Sequence, residues 1–206
     1  MNAANGWLAL EGLAPRQKHL ACSFFLSHVY LLGCAPQIMA NNKVHYMSKK
    51  QDWGTPPQFL GYLIDELNVE FCLDVAASPH NAKAPSYFTK EMNGLKQTWS
   101  GTVWVNPPFG SELKHWVKKA CDEAVNARIF MLIPCRPDTR YFHELIMKNA
   151  TNIYLIKGRF NFLFEGAIPG ANSPFPSMLV EFNWAGQHNI PPQFHTLEPS
   201  PMERGY

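Results

Sequence analysis

From Met47 onward, apolar residues alternate between a helical spacing and the short continuous runs typical of buried strands. An apolar i, i+3, i+4 stripe behind Pro56-Pro57 predicts one helix, and a second stripe predicts a helix that Ser111 caps. Asp138 is predicted to cap a third helix. The runs that predict strands are residues 69–75, 102–105, 129–133, 153–156 and 178–182.

This alternation predicts an α/β fold with a mostly parallel sheet and helices on both of its faces. No helix is predicted between the last two strands, so we expect them to form an antiparallel hairpin at one edge of the sheet. Residues 165–176 are rich in Gly and Pro and predict a loop. Residues 187–206 contain four prolines and predict an extended tail, which leaves residues 47–186 as the main domain.

The first 46 residues differ from the rest of the chain. They contain an apolar run at 20–34, which is shorter than the about 20 residues that a membrane-spanning helix needs. We interpret this stretch as an added leader or as a misassigned start, with Met39 or Met47 as the alternative first residue. A short basic stretch followed by an apolar run that ends at Cys34 also resembles a bacterial lipoprotein signal, and that alternative stays open.

The charge of the chain limits the classes of nucleic-acid partner. Lys and Arg number 18 and Asp and Glu number 16, a net charge of +2. The whole excess lies in residues 1–46, so residues 47–206 carry no net charge and the chain is not a basic protein that coats DNA. The five cysteines are odd in number and lack C-x-x-C spacing, and the eight histidines form no zinc motif. We therefore predict neither a disulfide framework nor a metal site.

The tetrapeptide Asn106-Pro107-Pro108-Phe109 follows the strand predicted at 102–105, at the edge where α/β sheets bind ligands. The two prolines stiffen the turn and lack N–H groups, so nearby carbonyl oxygens are left to accept hydrogen bonds from a ligand. The Asn106 side-chain oxygen and the Pro107 carbonyl can each accept one hydrogen of an exocyclic amino group, while the Phe109 ring stacks on the attached base.

This arrangement suits methyl transfer to a conjugated amino group. Two acceptors favour a pyramidal nitrogen whose lone pair points at an electrophile, so positioning and electrostatics carry the reaction without a strong base. Adenine N6, cytosine N4 and a glutamine side-chain amide all present such a group, and the tetrapeptide alone does not choose among them. A degenerate fold that only binds nucleic acid or a partner is a further alternative.

Further motifs extend the pattern over about residues 50–183. The chain resembles the phage-type DNA N-6-adenine methyltransferase family, a branch of the S-adenosylmethionine-dependent amino-methyltransferases. The matching motifs are Trp53-Gly54-Thr55-Pro56, Leu73-Asp74-Val75-Ala76-Ala77-Ser78, Asn81-Ala82-Lys83, Tyr87-Phe88-Thr89, Gly94-Leu95, Trp99, Asn106-Pro107-Pro108-Phe109-Gly110, Leu132-Ile133-Pro134, Thr139-Arg140, Gly158-Arg159-Phe160 and Pro174-Phe175-Pro176-Ser177.

The resemblance implies a class I methyltransferase (Rossmann-like) fold, S-adenosylmethionine as methyl donor, no metal, and methyl transfer to adenine N6. It makes the tetrapeptide catalytic, with Asn106, Pro107, Pro108 and Phe109 at the reacting amino group. In place of the usual Gly-x-Gly after the acidic residue, this chain has Ala76-Ala77-Ser78. The implied donor-binding residues are Trp53, Thr55, Pro56, Asp74, Ala76 and Ala77, with Glu91 and Asn93 as candidates for the ribose hydroxyls.

The resemblance also implies DNA as partner, with the target adenine flipped out of the duplex, and a phage- or prophage-encoded enzyme of restriction–modification type. We therefore expect it in the cytoplasm of a bacterial host, without a membrane. Basic residues that follow the predicted sheet edge are candidates for phosphate contacts: Lys114, Lys118, Arg136, Arg140 and Arg159.

Overall fold

The computed structural model describes residues 53–164, 168–183 and 190–205. All of them fall within one compact unit. The interpretations of residues 1–46, including the leader and the Cys34 signal, lie outside the described residues.

Within these described ranges, seven strands form one sheet in the spatial order β2-β1-β3-β4-β8-β5-β9, and two further strands, β6 and β7, form a separate hairpin. The bounds are β1 Leu73–Asp74, β2 Ser86–Tyr87, β3 Gly101–Val105, β4 Ala127–Pro134, β5 Asn152–Ile156, β6 Asn161–Phe164, β7 Ile168–Asn172, β8 Ser177–Asn183 and β9 Gln193–Leu197.

Every neighbouring pair in the large sheet is parallel except the two that involve β8, which runs antiparallel to both β4 and β5. The predicted mostly parallel sheet is therefore confirmed, as is the antiparallel pairing of the last two predicted strands. β8 lies between β4 and β5, and β9 pairs with the outer side of β5, so this pair lies one strand inside the edge.

Helices cover both faces of the sheet, as predicted. Helix α1 (Pro57–Leu67) buries Phe59 and Leu63 on one face, and helix α2 (Leu113–Glu123) buries Trp116 and Val117 on the other. Successive residues of β4 alternate between the two cores. Ile129, Met131 and Ile133 join the core under α2, while Phe130 and Leu132 join the core under α1. The strand is thus buried on both faces, which explains its continuous apolar run.

The predicted helix caps are wrong in both cases. Helix α2 begins after Glu112 rather than Ser111, and no side chain caps it. After Asp138 the chain forms a π-helical turn, Phe142–Ile146, followed by α3, Met147–Asn149. Thr139 rather than Asp138 organises this start, because its hydroxyl donates to the Arg136 carbonyl at 2.8 Å.

The segment 165–176 is not a plain loop, because β6 and β7 pair as an antiparallel hairpin across it. The hairpin was not predicted because this segment contains prolines at 169, 174 and 176, and proline is disfavoured in strands.

The run at 69–75, which was predicted to be one strand, forms only the two-residue strand β1.

The predicted extended tail packs on the domain. After β9, residues 201–205 form a turn that returns to the start of β6, where the Asn161 N–H donates to the Arg204 carbonyl at 2.9 Å. The Asn161 side-chain amide also donates to the Gly205 carbonyl at 2.9 Å. Gly205 has φ +87°, and a Cβ there would lie 3.2 Å from Cγ of Pro56. The tail therefore contacts the start of α1.

Candidate active site

A cleft opens at the carboxyl ends of β1 and β3, where parallel strands expose their following turns. It encloses about 410 Å³ of empty volume, part of which is open solvent. The lining comes from three separate stretches of sequence: Trp53, Gly54, Thr55, Asp74, Ala76, Asn81, Lys83, Trp104, Asn106 and Pro108.

Asn106 follows β3 directly and places its side chain in this cleft. Its amide nitrogen donates two hydrogen bonds, one to the Trp53 carbonyl and one to the Thr55 hydroxyl at 3.0 Å. Its Oδ1 atom is buried and accepts no hydrogen bond from the described residues. A buried carbonyl oxygen without a donor is unfavourable, so this atom is available to accept a hydrogen bond from a ligand.

The segment that holds Asn106 is fixed by backbone pairing. Gly54 and Leu163 of β6 exchange two N–H to C=O hydrogen bonds, both 2.8 Å long. A Cβ at Gly54 would lie 3.1 Å from the Leu163 carbonyl oxygen, so glycine permits this close approach. Thr55 is 1% exposed. The hairpin that sequence reasoning missed is therefore what holds the Trp53–Thr55 backbone beside Asn106.

Asp74 ends β1 and organises the turn that follows. Its Oδ1 accepts from the Ala76 N–H at 3.2 Å, and its Oδ2 accepts from the Lys83 N–H at 3.0 Å. Burial raises the pKa of Asp74 to about 6, and the two backbone donors and the Lys83 charge only partly offset this. A carboxylate held at the cleft in this way attracts a cationic group of a ligand.

Phe109 belongs to an aromatic cluster at the end of the tetrapeptide. Its ring meets Phe175 edge-on at 5.6 Å between centroids and Phe162 at 6.0 Å. Trp53 meets the same two rings, each at 5.6 Å. Phe175 thus joins Phe109 to the cleft-lining Trp53, and both Phe109 and Phe175 are only partly buried. This leaves aromatic surface that can contact a flat ring.

Of the remaining residues predicted to bind the methyl donor, some lie at or next to the cleft and others lie away from it. Ala76 lines the cleft, while Ala77 is buried behind it and donates its N–H to the Phe88 carbonyl at 3.0 Å. Pro56 is buried next to Thr55. Glu91 is exposed, and Asn93 takes a left-handed conformation with φ 56°. Neither of these two lines the cleft, and their contact with the ribose stays a prediction.

The predicted phosphate-contacting residues are exposed, but several have partners of their own. Lys118 pairs with Asp122 at 2.5 Å, and Arg140 pairs with Glu144. Arg159 donates to the Ser173 carbonyl at 3.3 Å. Within the described residues, Lys114 and Arg136 form no ion pair. These two are the cations most readily available to a phosphate.

The structure adds residues that sequence reasoning did not assign to the site. Asn81, Lys83 and Trp104 line the cleft, and Phe162 and Phe175 support the tetrapeptide. Asn81, Lys83 and Phe175 lie in motifs of the family resemblance, and this resemblance was the only sequence feature that could have pointed to them. Trp104 and Phe162 lie outside those motifs, so nothing in the sequence indicated that they would lie at the site.

Two kinds of site are absent from the part of the chain that the structure describes. No group of three or more His, Cys, Asp or Glu side chains is arranged to hold a metal ion. Across those same residues, no helix has the length and apolar character needed to cross a membrane.

Comparisons with known proteins agree with this geometry. The sequence model of the family described as DNA N-6-adenine-methyltransferase (Dam) matches residues 43–184. A DNA N-6-adenine-methyltransferase of Escherichia phage T1 is 35% identical over 108 residues, which cover 51% of this chain and 44% of the relative. The matched region thus spans less than half the length of that relative. No solved structure gives a significant match.

Proposed function

The chain belongs to the DNA N-6-adenine-methyltransferase family, and we propose that it transfers a methyl group from S-adenosylmethionine to N6 of adenine in DNA. The observation that carries this proposal is the buried Oδ1 of Asn106, which accepts no hydrogen bond from the described residues. It is the acceptor that an exocyclic amino group needs. We further propose residues 47–186 as the catalytic domain, acting in the cytoplasm of a bacterial host.

The reacting amino group is held by two acceptors of the tetrapeptide. Because the Asn106 amide nitrogen is engaged by Trp53 and Thr55, the side chain is oriented with Oδ1 free. In the described part of the chain no backbone N–H donates to the Pro107 carbonyl, which can take the second amino hydrogen. Two such hydrogen bonds turn the nitrogen lone pair toward the methyl group. With the donor bound, the bond from N6 to the methyl carbon would form as the carbon–sulfur bond breaks, S-adenosylhomocysteine would leave, and N6 would release one proton to water.

The cleft fits the methyl donor. When bound, S-adenosylmethionine supplies an electrophilic methyl group on a sulfonium centre. The Trp53–Thr55 segment and the Asp74–Ala76 turn bound the cleft on either side of Asn106, so a donor placed there has its methyl group beside the amino acceptors. Asp74 provides negative charge for the cationic donor, and the small Ala76 leaves room for it. Holding the methyl group beside the reacting amino group reduces the entropic part of the barrier to transfer.

We propose that the acceptor adenine reaches this cleft by leaving the duplex, which costs a few kcal/mol. Phe109 offers its ring to the extruded base, with Phe175 and Phe162 supporting it from behind. Lys114 and Arg136 hold flanking phosphates. Because the domain carries little net charge, binding depends on few phosphate contacts and on capture of the base, so affinity is modest and falls with added salt.

The activity is tested with tritiated S-adenosylmethionine and three duplexes: one with adenine and cytosine, one with N6-methyladenine at every adenine, and one with N4-methylcytosine at every cytosine. We expect label in the first and third duplexes and none in the second. Digestion to nucleosides should recover the label as N6-methyl-2′-deoxyadenosine. Asn106→Ala is the inactive variant, and Asn126→Ala, an exposed asparagine outside the cleft, is its matched control.

Each contrary outcome has its own meaning. Label in the second duplex but not in the third identifies cytosine N4 as the acceptor. Label in protein identifies a glutamine amide. No label anywhere, together with S-adenosylhomocysteine that does not bind, identifies a degenerate fold that no longer transfers methyl groups.

A further inference from the structure

Among the described residues that line the cleft, two carry opposite charges, Asp74 and Lys83, and the others are uncharged. They lie at the two ends of one turn, because the Lys83 N–H donates to Asp74 Oδ2 at 3.0 Å. Asp74 is assigned above to the cationic part of the donor. Nothing in the proposed function yet uses the Lys83 ammonium.

Within the described ranges, the Lys83 ammonium has no carboxylate oxygen within 4 Å. Among the described residues, the ion pairs within 4 Å are those of Lys118, Lys119, Arg128, Arg140 and Lys157. Asp74 influences Lys83 only through its charge, while both of its oxygens accept backbone hydrogen bonds. Lys83 is partly buried, and this desolvation lowers its pKa. A partly desolvated cation without a contact partner favours binding of an anion.

S-adenosylmethionine carries one anionic group, the carboxylate of its methionine end, with the α-ammonium on the next carbon. We propose that the Lys83 ammonium binds this carboxylate, while Asp74 faces the α-ammonium, so the pair recognises the zwitterionic end of the donor. This inference rests on the proposed function. A single cation and a single anion at the two ends of one turn match the two opposite charges that the ligand carries on adjacent carbons.

The inference is tested by calorimetric binding of two ligands without any turnover. S-adenosylhomocysteine has both the carboxylate and the ammonium, whereas its decarboxylated analogue S-adenosyl-3-thiopropylamine keeps only the ammonium. Lys83→Met should lower affinity for S-adenosylhomocysteine by about 10- to 100-fold, the effect of losing a charge-assisted hydrogen bond. Affinity for the decarboxylated analogue should not fall. Lys83→Arg should keep most of the preference for the carboxylate.

Lys90→Met is the matched control, since Lys90 is exposed and outside the cleft lining, and it should bind both ligands as wild type does. Equal losses of both ligands in Lys83→Met would overturn the inference. So would unchanged binding of both ligands together with weakened binding of a 20-base-pair duplex, because Lys83 would then contact a phosphate. If wild type binds neither ligand, the proposed function itself fails, and this result is distinct from the other two.

Discussion

The Asn106 amide nitrogen donates to the Thr55 hydroxyl at 3.0 Å, across 51 residues of sequence. This hydrogen bond sets which end of the amide enters the cleft. Thr55→Val removes the acceptor with little change of shape. We expect kcat to fall about 10-fold, the effect of about one lost hydrogen bond, with a smaller change in the KM for the donor. Thr55→Ser should restore kcat to near wild type.

The matched control for this pair is Thr98→Val at an exposed threonine, which should leave kcat unchanged. A loss of kcat in the Ser variant, with the Val variant unaffected, would show that the Thr55 methyl group, not its hydroxyl, matters.

Asn106→Ala removes the free acceptor itself. We expect kcat to fall by at least about 100-fold, as when a preorganised group at the reacting atoms is lost. Affinity for S-adenosylhomocysteine, measured by calorimetry, should stay within a few-fold of wild type. A large loss of donor affinity with kcat preserved would mean that Asn106 holds the donor rather than the acceptor.

Phe109 is expected to act on capture of the base. Phe109→Ala should raise the KM for DNA by about 5- to 100-fold, from a stacking contribution of about 1–3 kcal/mol, while Phe109→Tyr should behave as wild type. Steady-state kinetics at saturating donor measure this. Phe194→Ala, at an edge-strand phenylalanine that is 54% exposed, is the control. If the two alanine variants behave alike, Phe109 has no special role.

Donor binding should depend on pH through Asp74. Burial raises the pKa of this carboxyl to about 6, so it is ionised above pH 6 and takes up a proton below it. A cationic ligand group favours the ionised form, so affinity for S-adenosylhomocysteine should fall as the pH drops below 6, by at most about tenfold per pH unit. Calorimetry between pH 5 and 7.5 measures the slope. Asp74→Asn should abolish it; an unchanged slope would assign the titration to another group.

Gly205→Val should weaken the docking of residues 201–205. The position has φ +87°, and a Cβ there would lie 2.8 Å from the Asn161 carbonyl oxygen. We expect the Tm to fall by about 4 °C, which corresponds to one to two kcal/mol in a domain of this size. Activity should fall as well, because the same turn contacts Pro56. Met202→Ala, at a side chain that is 72% exposed, should alter neither property. Unchanged melting of Gly205→Val would show that the turn does not stabilise the domain.

Much of the fold was predictable because local pattern determines it. The two helical stripes at α1 and α2 and the apolar run of β4 each bury a face that the sequence marks clearly. The position of β8 within the sheet could not be predicted from the sequence, since it depends on which strands β8 pairs with. The same holds for β9, whose exposed residues carry little strand signal and which gains its hydrogen bonds from β5.

Part of the candidate site could likewise be predicted from local sequence, and part could not. Asn106 to Phe109 were recognised because their chemistry lies within four adjacent residues. The partners of the Asn106 amide could not be derived, because Trp53 and Thr55 lie more than 50 residues away and are brought there by pairing with Leu163. Lys83 was missed for a related reason. Its place in the cleft follows from the turn around Asp74, and although Lys83 lies in a motif of the family resemblance, that motif does not say what the lysine binds.

The pairing of Gly54 with Leu163, and the packing of Gly205 on Pro56, also determine the order in which the site is built. During synthesis, the Trp53–Thr55 segment emerges about 110 residues before its strand partner and about 150 before the turn that braces it. Contacts between such distant segments form slowly, because the intervening chain must first be ordered. Strands β1 to β4 can therefore pair before Asn106 acquires its partners, and the site is complete only after residues 201–205 have docked.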